Sequence, residues 1–176
     1  MMQLQDGRVS FSLDITNYQF PQIDNDAWEA DWLNIRVRLQ YAEHTWTHDD
    51  PSLTTFEVQA WTDWLEDVAQ HLDTFAAWRR SRLTTMIAFT EPNLCFEVLD
   101  HHPTGAPATL RVYLGLESRP PFFALLNHVG PDSNPDDVWI EFPLDGRTLR
   151  RTIDRLREQL ERYPVRVGLP HIPPTT

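Results

Sequence analysis

The 176-residue chain contains no lysine, one cysteine, six glycines and no long apolar run. Each scarcity excludes something. A single cysteine, Cys95, leaves no internal disulfide and no Cys-x-x-Cys pair for a structural zinc. It sits in the apolar segment LCFEV and reads as a small core residue. A membrane helix needs about 18 or more consecutive apolar residues, and none occur. The opening MMQLQDGRVS lacks the basic start and apolar stretch of a secretion signal, so a cytoplasmic location is expected. The usual catalytic and phosphate-binding signatures are missing as well: GxxxxGKS/T, GxGxxG, HExxH and GxSxG. All 15 positive charges are Arg, which reads as base-composition bias and not as chemistry.

Positive charge is scarce where negative charge is dense. Residues 1–73 hold fourteen acids against three Arg (Arg8, Arg36 and Arg38). Residues 74–176 balance at twelve of each, so the whole net charge of −11 belongs to the N-terminal part. Such a field repels nucleic acid and anionic membrane and attracts basic protein surfaces. On charge alone the field serves either solubility or a basic protein partner, and neither nucleic acid nor membrane is expected to bind.

What is present reads as one α+β domain spanning residues 1–176. Asp6-Gly7 between Leu4 and Val9–Leu13 suggests a hairpin. Leu33, Ile35, Val37 and Leu39 alternate with polar residues, the period of a half-buried strand. A short strand at Thr45–Thr47 is expected to break at Asp49-Asp50-Pro51. Trp61, Trp64, Leu65, Val68, Leu72 and Phe75 then lie on one face of a helix expected over 57–76, with Thr54 and Glu57 spaced for a capping box. Further strands are expected over Leu83–Phe89, Leu94–Leu99, Thr109–Leu116 and Val138–Phe142. A second helix over 145–163 has Asp145 as its cap and Leu149, Ile153, Leu156, Leu160 and Tyr163 as its apolar stripe. Residues 117–137 are Pro-rich and irregular, with a mobile acidic loop at Asp132–Asp137, and 164–176 form an extended tail. Strands, helix, strands, helix without βαβ alternation predict a curved, mostly antiparallel sheet of seven or eight strands carrying two amphipathic helices.

Two groups could carry chemistry. His44 and His48 with Asp49 and Asp50 could supply metal ligands, but a hairpin running into a loop fixes no ligand geometry. Asp24, Asp26 and Asp31, with Asp49 or Asp50, could supply the paired carboxylates of a small hydrolase, yet no pattern separates an acid from a base. Neither yields a catalytic residue, metal site or cofactor. Trp28 and Trp32 sit among these acids, either as lids on the core or as exposed contacts of the kind that dominate protein interfaces.

The stretch from Tyr18 to Leu65 resembles the WapI-type immunity proteins of bacteria. The resemblance is carried by Tyr18-x-Phe20-Pro21, an acidic loop with Asp24, Asp26 and Trp28, a strand opening on Trp32-Leu33, and Trp46. Asp50-Pro51-x-Leu53-x-Thr55, Glu57 and a helix bearing Trp64-Leu65 complete it. It covers about residues 15–72. It implies a non-enzymatic antidote that binds the toxin domain of a polymorphic toxin, in that family typically a nuclease acting on RNA. The partner-binding residues would be Asp24, Asp26, Trp28, Glu29, Asp31, Trp32, Asp49 and Asp50. The alternatives are the small metal- or carboxylate-dependent hydrolase, which requires those acids and histidines to converge in a cleft, and a general protein-interaction domain.

Overall fold

Period-2 patterning becomes two antiparallel sheets whose apolar faces meet. The structure, a computed structural model, describes residues 1–26, 28–128 and 138–167. The first sheet is a meander of β1 (Met2–Asp6), β2 (Val9–Tyr18), β3 (Trp32–Tyr41) and β4 (His44–Thr54). After it come α1 (Thr55–Gln70) and α2 (Phe75–Arg80). The second sheet contains β5 (Met86–Ala88), β6 (Leu94–Asp100), β7 (Ala108–Leu114), β8 (Asn127–His128) and β9 (Val138–Leu144), in the spatial order β5-β6-β7-β9-β8. The closing helix is α3 (Gly146–Arg162). The α+β class is as expected. Eight described strands have three or more residues, and they divide between two sheets.

Each sheet has only one apolar face, so each needs a partner layer. Phe11 of β2 meets Phe96 of β6 edge-on, with centroids 6.4 Å apart, and Phe142 of β9 at 6.5 Å. Around them Leu13, Leu39, Val98, Val112 and Leu144 are all but removed from water. The buried residues of both sheets and all three helices form one core cluster.

Two prolines sit inside strands, one where a break is expected and the other just past the expected strand end at Phe142. β4 continues through Asp49-Asp50-Pro51 and bulges between Pro51 and Leu53. Among the described residues it is an edge strand, where one side of the backbone lacks a ladder partner and a proline is tolerated. Pro143 similarly lies within β9 and pairs with Thr109. β8 covers only Val138 and Trp139, so among the described residues β9 is effectively an edge at that point. In contrast, the Leu83–Phe89 run forms a strand only over Met86–Ala88.

α1 begins as its capping box requires. The Glu57 amide donates to Thr54 Oγ1 at 3.3 Å, and the Thr54 amide donates to Glu57 Oε2 at 2.8 Å. Val58, Trp61, Leu65 and Val68 are buried beneath it. The helix stops at Gln70, short of the expected 76. A 3₁₀ turn at Leu72–Thr74 redirects the chain so that Phe75 and Trp78 both bury in α2. Asp145 caps α3 by accepting the Thr148 amide at 2.7 Å. α3 also guards the edge of β2 past the first residue of β1: the Ile15 amide donates to Gln159 Oε1 at 2.6 Å, and Tyr163 Oη donates to Thr16 O at 2.7 Å. The acidic segment Asp132–Asp137 and the tail from residue 168 lie outside the described residues.

Candidate partner-binding surface

The loop before β3 is built around the Asp26 side chain. Asp26 Oδ1 accepts the amides of Trp28 at 2.8 Å and Glu29 at 3.0 Å, and the Ala30 amide returns to Asp26 O at 2.9 Å. Aspartate favours this local turn because its short carboxylate reaches amides two and three residues on. Those same donors hold its carboxyl below the usual carboxylate range. The turn faces Trp28 outward, 70% exposed, while Trp32 is buried at the start of β3. The two indoles meet edge-to-face at 6.5 Å. Asp24 and Glu29, in the same loop, are exposed.

Asp31 is placed differently from its neighbours. It is 1% exposed. Its Oδ1 accepts Thr55 Oγ1 and the Arg166 amide, each at 2.8 Å, and its Oδ2 accepts the Val167 amide at 3.1 Å. Asp31 O also accepts the Thr55 amide at 2.9 Å. The residue thereby ties the loop to the start of α1 and to the C-terminal segment. Arg166 completes the tie, lying 3.7 Å over the Tyr18 ring and donating to the carbonyls of Phe20, Pro21 and Ala30. The first residues after α3, expected as the start of an extended tail, are pinned by these contacts.

Strand alternation sets Asp49 apart from Asp50, which shares a face of β4 with His44 and His48. Asp49 pairs with Arg36 through two hydrogen bonds, at 2.7 and 2.8 Å, and the guanidinium lowers its carboxyl pKa. Asp50 lies on the opposite face, where its Oδ2 accepts Asn93 Nδ2 at 2.7 Å and Ser52 Oγ at 3.2 Å. His48 stacks on Trp46 and His44 on Phe122. Among the described residues no three His, Cys, Asp or Glu are grouped to hold a metal ion.

Trp28, Asp31 and Trp32 are brought together around one cavity of about 180 Å³. Thr54, Phe56, Glu57 and Thr90 complete its wall. Glu57 is half-buried there, bonded to the Thr54 amide and, through Oε1, to the Thr90 amide at 2.6 Å. Sequence reasoning assigned Glu57 only to the cap and missed its place in this wall. Thr90 carried no local signal, because it arrives from a turn 33 residues later.

A second polar cluster, on the outer face of the second sheet, was also missed. Glu97, Arg111 and Glu141 are directly opposite one another on three strands. Arg111 donates to Glu141 Oε1 at 2.7 and 2.9 Å and lies 4.8 Å from the Trp139 ring centroid. Tyr113 Oη donates to Glu97 Oε2 at 2.7 Å, and burial followed by that bond pushes its phenol up to about 12. Every charge in this cluster has a partner, which marks it as a cross-strand brace.

The family model of the WapI-like immunity proteins matches residues 2–164, far beyond the stretch that carries the sequence resemblance. No curated protein matches the chain.

Proposed function

Because the chain belongs to the WapI-like immunity protein family, we propose that it binds and neutralises a cognate toxin domain in the cytoplasm of the cell that makes it. The toxin domain is basic and cleaves RNA, and no catalysis by this chain is involved. The observation that carries the reading is Trp28, 70% exposed on a loop whose other exposed side chains include Asp24, Asp26 and Glu29. A large aromatic held in water by a fixed turn supplies contact area, and the acids around it supply sign. A nuclease must present basic surface to its phosphate substrate, so an acidic cover competes for that surface and speeds the encounter. Asp49 contributes less than its exposure suggests because Arg36 neutralises it, and Asp31 and Trp32 support the surface from beneath.

The test uses the purified protein and an Asp24→Lys/Glu29→Lys variant as bait in lysate of the source cell, at low and moderate salt. A captured basic domain is then expressed alone, and its cleavage of RNA is followed with increasing amounts of each bait. The expected result is stoichiometric inhibition by the unaltered protein and at least tenfold weaker inhibition by the variant. Failure to capture a basic domain at either salt, or RNA cleavage unaffected by the protein, overturns the reading.

A further inference from the structure

We infer that the cavity beneath Trp28 is a receptor for one arginine side chain on the partner's surface. This rests on the immunity reading and specifies how the loop would grip its target. At about 180 Å³ the cavity falls below the ~300–1,000 Å³ of pockets for drug-sized ligands, and its scale is that of a single side chain. Its walls include the Trp28 and Trp32 indoles, set edge-to-face, and Phe56. Aromatic faces attract cations, most strongly those of Trp.

Charge selects the occupant. Asp31 and Glu57 both line the cavity. The hydrogen bonds to Asp31 come from the Thr55 hydroxyl and two backbone amides, and those to Glu57 from two amides and the Thr54 hydroxyl. Among the described residues neither carboxylate forms an ion pair. The nearby Arg166 approaches Asp31 through its backbone amide, and its guanidinium is directed to the carbonyls of Phe20, Pro21 and Ala30. The start of α1 adds roughly half a positive charge, less than either carboxylate removes. Exposed Asp24, Asp26 and Glu29, on the same loop as Trp28, add further negative charge. A cation is therefore the complementary guest. Arginine suits the shape best, since its planar guanidinium stacks on an indole while its edge donates to the half-buried Glu57 carboxylate, with buried Asp31 adding negative charge behind the wall.

The experiment records the indole N–H signals of ¹⁵N-labelled protein, assigned with Trp28→Phe and Trp32→Phe variants. The probe is N-acetyl-arginine amide, and the control is N-acetyl-citrulline amide, which has the same shape without the charge. The expected result is a saturable shift of the Trp28 and Trp32 signals with the arginine probe and at least tenfold weaker binding of the citrulline probe. Trp28→Ala should abolish the response at the Trp32 signal. Glu57→Gln, which preserves a capping-box side chain, should weaken it several-fold. An unsaturable response, equal binding of citrulline, or an undiminished response in Trp28→Ala overturns the inference. The two proposals fail separately. Toxin neutralised equally by unaltered protein and Trp28→Ala sinks the receptor and keeps the immunity reading, whereas arginine binding with RNA cleavage unaffected does the reverse.

Discussion

The Trp61 indole lies almost flat on the Phe96 ring, with centroids 4.1 Å apart and planes 21° from parallel. Trp61 belongs to α1 and Phe96 to β6, so this stack joins the helix that follows the first sheet to the second sheet. Phe96 in turn meets Phe11, and one aromatic column links all three layers. Both residues are fully buried. Trp61→Ala should cost about 3–5 kcal/mol, the range for emptying a large aromatic site. Urea unfolding measures it. A loss below about 1 kcal/mol would mean the column does not hold the layers together.

Asp31 and Asp24 are only seven residues apart and chemically identical, yet their substitutions should diverge. Asp31→Ala strips acceptors from the Thr55 hydroxyl and the Arg166 and Val167 amides, and should destabilise by about 2–4 kcal/mol. Asp24→Asn, at an exposed position, should stay within about 0.5 kcal/mol. Parallel denaturant titrations of the two variants decide whether Asp31 is a structural tie.

Trp28→Ala should leave stability within about 0.5 kcal/mol, because the indole is mostly in water. Its effect should instead fall on neutralisation of the toxin domain, weakening it at least tenfold, as expected of a central interface aromatic. A thermal melt alongside the RNA-cleavage assay separates the two. A large drop in melting temperature would show that the side chain supports the fold.

Asp145 links α3 to pH. Its carboxyl is lowered chiefly by the Thr148 amide. A depressed folded-state pKa contributes stability that is present above the unfolded value of about 3.9 and is lost as pH falls through the folded value. Asp145→Ala should therefore cost about 1 kcal/mol at pH 7. The gap between variant and unaltered protein should narrow as pH falls below about 4. Melting temperatures at pH 7, 5 and 3 test this, and a gap that stays constant contradicts the cap.

Tyr113 governs the alkaline side. Its folded-state phenol is raised to about 12 while the unfolded phenol ionises near 10. The unfolded chain therefore releases its proton first, and stability is lost as pH rises from about 10 to about 12. Tyr113→Phe should remove that loss, and the phenolate absorbance of the folded protein should show one fewer late-titrating tyrosine. Identical alkaline titrations of the two proteins would refute the raised Tyr113 phenol.

Features whose donor and acceptor lie within one turn of chain could be read from residue order. Thr54 with Glu57 and Asp145 with Thr148 close their hydrogen bonds over three residues, and each helix starts where those pairs place it. The alternation of β3 similarly determined which side chains face the core, because a strand's side chains have a period of two. The sign of the surface was set by composition. Tertiary structure decided everything that depends on what lies opposite. Pro51 and Pro143 were readable as strand breakers, but among the described residues β4 is an edge strand and β9 is effectively an edge at Pro143. Trp28 and Trp32 are the same residue type four positions apart, and only the layers beneath them expose one and bury the other. Asp31 left the acidic surface because Thr55 and the Arg166 and Val167 amides, the last two more than 130 residues downstream in sequence, supply donors that make its burial affordable.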